Sequence, residues 1–229
     1  HPCACYSHST RYGIIQLVEA HGGCVEGLTE GAIRELQSEL PQMLAVVGIG
    51  CSSDVVAATE LSARATLNFD AVVVSGSSTA PVIADNSQYP DVARMVTGEL
   101  TGGAAANVAL ARHFGWKRIA ILSDDSTWAR GAAQAFVDLH LADGEQRSII
   151  NQEDTHGSDR TFGFAVDDMD SGTVTAETLL RKLDGMGARI VYLVTQPRLQ
   201  HKFYAAMYRT GLMGVSGYGW IAAWVDEDA

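Results

Sequence analysis

The sequence predicts an α/β fold in which parallel sheets are wrapped by helices, and three observations point there. Apolar runs of strand length alternate with segments of helical period through most of the chain. Helix-like segments close on glycine, as in His113-Phe114-Gly115, Asp143-Gly144 and Thr210-Gly211. Two serine-rich turns, Gly50-Cys51-Ser52-Ser53 and Ser75-Gly76-Ser77-Ser78-Thr79-Ala80-Pro81, each follow an apolar run and precede a helix-like one. Repeated βα units of this kind put the strands in one direction, with helices returning over both faces.

Strands are expected at 13–19, 43–49, 71–74, 92–96, 117–122, 147–151, 188–194 and 218–223, and helices at 27–39, 54–67, 102–114, 127–142, 174–186 and 198–210. Met43 to Ile49 (M-L-A-V-V-G-I) reads as a buried strand, and Ser52 or Ser53 as the cap of the helix that follows. Ala71 to Val74 is the next strand, so the second turn emerges on the same sheet edge as the first. Thr97 to Gly103 (T-G-E-L-T-G-G) breaks the pattern and reads as a crossover between two sheets. Ser126 or Thr127 caps the 127–142 helix, whose packing face is expected to carry Phe136, Val137, Leu139 and Leu141. Residues 152–173, rich in Asp, Gly, Ser and Thr, read as a surface loop. Trp116 and Trp220 read as core, Trp224 as a pocket wall or core at the last strand's end, and His21, His113 and His140 as surface or capping residues.

The 229 residues are 47% hydrophobic and 19% charged, a globular composition with room for one large or two modest domains. Lys plus Arg number 16 against 27 Asp plus Glu, a net charge of −11 with no basic run, which argues against a nucleic-acid partner. No apolar segment approaches the roughly 18–20 residues of a membrane span. That leaves a membrane protein open, because a chain opening on His1 reads as part of a longer one. Cys24 and Cys51 follow successive strands and are well placed to bridge, which would contribute about 3–4 kcal/mol and imply an oxidising compartment. Two buried free thiols are the alternative.

At the carboxyl edge of a parallel sheet, two adjacent hydroxyl-rich turns and the start of a helix suit a small carboxylate. Enzyme signatures are not met. Gly48-Ile49-Gly50-Cys51-Ser52-Ser53 lacks the third glycine of a dinucleotide turn, and Gly76-Ser77-Ser78-Thr79-Ala80 lacks the last glycine of a nucleophile elbow. No catalytic centre and no cofactor are expected. His1, Cys3, Cys5 and His8 are metal-ligand types without a second spaced pair, so no metal is expected either.

Further blocks carry a family resemblance: Gln88-Tyr89-Pro90 with Arg94, Phe114-Gly115-Trp116-Lys117-Arg118-Ile119-Ala120, Leu183-Asp184-Gly185 with Ala188-Arg189-Ile190-Val191, and Tyr218 to Trp224. With the two serine turns and Tyr12 to Cys24, they make the chain resemble the extracellular ligand-binding region of family C G-protein-coupled receptors and natriuretic-type receptors. This is the two-lobed periplasmic-binding-protein type I fold. Within that group the sequence is most similar to the metabotropic GABA (type B) receptors, over about residues 12–225.

The resemblance implies a partial first lobe at 1–97 and a second at 98–229, with a first strand and helix and a return to the first lobe lying outside the chain. It implies a Cys24–Cys51 disulfide. Ser52 and Thr79 match hydroxyl positions that hold a ligand carboxylate, Ser78 lies beside the second, and Trp224 matches a tryptophan that packs on the ligand. Thr195 stands where a GABA-binding subunit has a ligand-contacting tyrosine, and Val96 where it has a histidine. The implied protein is the extracellular part of a plasma-membrane receptor. It would bind a small amino-acid-like ligand, assemble as a homo- or heterodimer and signal to a G protein through a membrane region. The alternatives are a soluble amino-acid-binding protein of a transporter, the ectodomain of a receptor guanylate cyclase, and a non-binding partner subunit.

Overall fold

A computed structural model describes residues 6–10, 13–17, 27–63, 71–142, 147–150, 162–214 and 217–223. The chain divides into two units, one of residues 1–78 with 85–96 and one of residues 79–84 with 97–229. The short piece 79–84 therefore interrupts the first unit in sequence while belonging to the second.

In the first unit, β1 (Tyr6–Thr10) and β2 (Gly13–Leu17) pair as an antiparallel hairpin, and α1 (Leu28–Glu39) follows. A three-stranded parallel sheet is built from β3 (Ala45–Ile49), β4 (Val72–Ser75) and β5 (Val92–Arg94), with α2 (Ser52–Ala63) returning between β3 and β4. Side chains alternate across such a sheet. Val73 and Ser75 are fully enclosed, α2 packs against β4, and the helix buries Val55, Ala58 and Leu61. The opposite set is open: Val47 and Val72 are 66% and 45% exposed, and Ala45, Ala93 and Met95 are exposed with them. Of the expected buried strand 43–49, only Ile49 is enclosed. The apolar content of β3 suits cover on both faces, as parallel sheets normally have, and the described residues supply it on one.

Among the described residues the second unit holds five parallel strands: β6 (Arg118–Asp124), β7 (Ser148–Ile149), β8 (Phe162–Phe164), β9 (Ile190–Val194) and β10 (Gly219–Ala222). The path runs β10-β9-β6-β7, and β8 pairs with Leu122 to Asp124 beyond β7 on the same side of β6. Its described helices are α3 (Gly103–His113), α4 (Thr127–Leu141), α5 (Val166–Ser171), α6 (Ala176–Gly185) and α7 (Pro197–Thr210). Alternation along β6 and β9 feeds two cores. Ala120, Leu122, Val191 and Leu193 join Leu180, Leu183, Leu199 and Phe203 on one face. Ile119, Ile121, Tyr192 and Val194 join Val108, Ala133, Phe136 and Val137 on the other.

The α4 helix approaches closely because its inner face is small. Ala129, Ala132, Ala133 and Ala135 are buried, and a Cβ on Gly131 would lie 2.8 Å from Cδ of Pro81 in the 3₁₀ turn Pro81–Ala84. Ser126 caps α4 by accepting from the Ala129 amide at 3.3 Å. Phe136 and Val137 are buried as expected, whereas Leu139 and Leu141 are half-buried. His140 takes the inward position between them, stacked on Phe136 with Nε2 3.4 Å from the Lys117 carbonyl. The surface reading of His140 is therefore corrected. Trp116 and Trp220 are partly buried against the two cores.

Other differences follow from tertiary pairing. The helix expected from residue 54 starts at Ser52, and the Cys51 carbonyl accepts from the Val55 amide, so both serines lie in its first turn. The loop reading of 152–173 is corrected in part, because it contains β8 and α5. Phe162-Gly163-Phe164 is too short to announce itself and is a strand because β6 lends it an edge. The α5 helix buries one side chain, Met169. Cys3, Cys5, Cys24, His1, His21, the Asp143-Gly144 helix end and Trp224 lie outside the described residues.

Candidate functional site

The carboxyl ends of β3 and β4 are neighbours because Ile49 pairs with Ser75 across the parallel ladder. That register laces the two serine turns together. The buried Ser75 hydroxyl donates to the Ile49 carbonyl at 2.6 Å and accepts from the Ser78 amide at 3.1 Å. Ser77 and Ser78 both donate to the Gly50 carbonyl, at 2.9 and 3.1 Å. A carbonyl oxygen has two lone pairs and takes both. A Cβ on Gly50 would sit 3.4 Å from the Ser77 hydroxyl, in van der Waals contact. Ser52, in the first turn of α2, and Ser78 are both buried. The adjoining turns are thus one hydrogen-bonded edge, with the hydroxyl protons of Ser77 and Ser78 directed at backbone.

Thr79, the next residue, belongs to the second unit, where its hydroxyl donates to Glu99 Oε1 at 2.7 Å and its carbonyl accepts from the Glu99 amide at 3.0 Å. The same Oε1 accepts from the Trp128 indole N–H at 3.1 Å, and Oε2 accepts from the Ala104 amide at 3.0 Å. Glu99 is buried. Sequence reasoning assigned it no role. One signal was available: α3 begins Gly102-Gly103 and has no side-chain cap from its own N-cap residue, so its first amides need an acceptor from elsewhere. Glu99, just upstream, is the near acid.

The second sheet's carboxyl edge carries Asp124 and Thr195. Asp124 is fully enclosed and accepts from the Ser126 amide at 2.9 Å and the Gln196 amide at 2.6 Å, pinning the end of β6 to the start of α7. Burial holds its carboxyl above the usual carboxylate range, outweighing those hydrogen bonds. Thr195 is fully enclosed, and its hydroxyl finds no partner among the described residues. Tyr192, deeper in β9, stacks on Phe136 and lies 3.4 Å from the Asn107 amide nitrogen. Burial raises its phenol far above the ordinary value, with the Glu99 charge adding to the shift.

Cys51 is disulfide-bonded, and its partner lies outside the described residues. No group of metal-ligand side chains is present among the described residues, and none of their helices is long and apolar enough to cross a membrane.

A family profile described as the receptor family ligand binding region matches residues 11–228. A receptor-type guanylate cyclase of Caenorhabditis elegans is 23% identical over 207 residues, covering 90% of this chain and 16% of the relative. Gamma-aminobutyric acid type B receptor subunit 2 of Homo sapiens is 27% identical over 181 residues, covering 79% of this chain and 17% of the relative. The Rattus norvegicus subunit 2 is 26% identical over the same length. The chain thus spans about a sixth of these curated relatives.

Ser75→Ala removes the hydroxyl that serves both the Ile49 carbonyl and the Ser78 amide, and should lower unfolding free energy by about 1–3 kcal/mol. Ser77→Ala, at an exposed position with a single bond, should lower it by less than about 1 kcal/mol, both read by urea denaturation. For Asp124, a folded pKa raised above 3.8 means that the folded state holds its proton more tightly than the unfolded chain. Its stabilising contribution is fully present below that ordinary value and is lost as pH rises through the raised one. The melting-temperature difference between wild type and Asp124→Asn should accordingly shift in favour of wild type as pH is lowered from about 7 to about 4.

Proposed function

The chain belongs to the receptor family ligand binding region, and from that premise we propose that it receives a small carboxylate-bearing, amino-acid-like ligand in the extracellular part of a cell-surface receptor. Ser52, Ser78 and Thr79 would contact the carboxylate, and Thr195 and Trp224 the rest of the ligand. The observation that carries this reading is the laced carboxyl edge of β3 and β4, where Gly50, Ser77 and Ser78 meet next to the first turn of α2. Backbone amides at a helix start and small hydroxyls favour an anion over a cation. Ser78 can turn its proton from the Gly50 carbonyl to a ligand oxygen at the expense of one neutral hydrogen bond, exchanged for a charge-assisted one.

Ligand binding would bias an equilibrium between open and closed arrangements of the lobes through its differential affinity for them. In the natural protein a membrane region would carry that bias to a G protein. The similarity to a receptor subunit 2 supports assembly as a dimer. Cys24 is the proposed partner of Cys51, and the bridge would place the chain in an oxidising compartment. A second reading has support of its own, because the guanylate cyclase match covers more of the chain. In that case the region regulates a catalytic domain elsewhere in the protein.

The experiment is calorimetry of the natural protein with GABA, glycine, β-alanine and L-glutamate. A binder at about 100 times its Kd should raise stability by about 2.7 kcal/mol. Ser52→Ala should then weaken binding about tenfold or more, the loss of a hydrogen bond to a charged group. Unchanged affinity in Ser52→Ala removes the site, and silence across the panel favours the non-binding subunit. Cyclase activity stimulated by a panel member would establish the second reading. Digestion without reduction should yield a peptide linking Cys24 to Cys51, and a Cys51 peptide linked elsewhere overturns that pairing.

A further inference from the structure

Glu99 is held as a ligand would be held. Its carboxylate is buried and receives three donors from three separate elements: the Thr79 hydroxyl from the 79–84 piece, the Trp128 indole from α4 and the Ala104 amide from α3. The backbone beneath is shaped to this group. A Cβ on Gly103 would lie 2.5 Å from Oε2, and one on Gly102 would lie 2.7 Å from the Thr97 hydroxyl, so a larger residue at either position would push these side chains from where they sit. A glutamate serving only as a helix cap needs one amide donor. Here the cap is one contact of three.

We propose that Thr79, Trp128 and Ala104 form a carboxylate site that the chain's own Glu99 already fills, so that a ligand carboxylate reaches the Thr79 hydroxyl only by exchanging with Glu99. The donor chemistry fixes the class of the occupant. One hydroxyl, one indole N–H and one helix-terminal amide offer hydrogens and no negative charge, which suits a small monocarboxylate. The exchange also ties occupancy to the 79–84 piece, because Thr79 is bonded to Glu99 through both its side chain and its carbonyl. Release of Glu99 loosens the strap that holds this piece to the second unit. The exchange step rests on the carboxylate-ligand reading above, whereas the site itself does not.

The test is chemical rescue. Glu99→Ala empties the position while leaving the three donors, and formate and acetate are the probes, with chloride at equal ionic strength as control. The variant should melt below wild type. Formate should raise its melting temperature in a saturable way and alter Trp128 emission, while chloride does neither and wild type shows no saturable response. Adding Thr79→Val should weaken formate binding about tenfold or more. If Glu99→Ala does not fold in plain buffer, recovery of folded protein on refolding with formate but not chloride is the expected result. Equal responses to formate and chloride, no recovery in either salt, or an unchanged response after Thr79→Val would overturn the proposal. In Glu99→Gln, which keeps the shape, one acceptor oxygen replaces two and cannot serve both the Ala104 amide and the Trp128 indole, so the variant should melt below wild type; an unchanged melting temperature counts against the site.

These outcomes separate the two readings. Rescue by formate with no binder in the amino-acid panel leaves the internal site standing and the ligand assignment fallen. A binder lost in Ser52→Ala, with no rescue, does the reverse.

Discussion

A parallel strand can meet its neighbour only after the chain has crossed a face of the sheet, and this constraint organises the molecule. Every βα turn leaves from the same edge, so groups far apart in sequence are delivered side by side. The Ser75 hydroxyl reaches the Ile49 carbonyl because β3 and β4 are in parallel register. Asp124 reaches the Gln196 amide for the same reason, with β6 and β9 as the pair. In both cases a side chain at one strand's end satisfies backbone released at the next, in surroundings where an unmet polar group would be expensive.

The two units answer the same constraint differently. The second covers its sheet on both faces, and the alternation of Val191 and Leu193 against Tyr192 and Val194 feeds two separate cores. The first covers one face with α2 and leaves Ala45, Val47, Val72 and Ala93 exposed. Those side chains are those of a sheet made to be covered. The carboxyl edge of the first unit's sheet is therefore held by the serine lacing and by the face it shares with α2.

Glutamate and glycine at the start of α3 show how a gap in local structure is filled from a distance. A helix opening on two glycines has no side chain of its own to accept its first amides. Glu99 fills that place, and its second oxygen is then available to Thr79 and Trp128. A residue that looks like part of a flexible crossover becomes the point where three elements meet. The two glycines belong to the same device, because a larger residue at Gly103 would collide with the carboxylate.

The α/β class, the order of most elements and the meeting of the two serine turns at one sheet edge were legible in the sequence, because apolar period, helix-ending glycines and turn residues are local properties. Gly115 and Gly211 do adopt the positive φ that a helix end requires. What tertiary structure alone decided was pairing. Phe162 to Phe164 is a strand only because Leu122 to Asp124 offers an edge, and His140 turns inward only because Phe136 and the Lys117 carbonyl receive it. The direction of the Ser77 and Ser78 protons was set by a carbonyl 27 and 28 residues away, and the partners of Glu99 by folding that brings residues 79, 104 and 128 together. Sequence fixes which groups can donate and accept; which of them meet depends on contacts that no local pattern encodes.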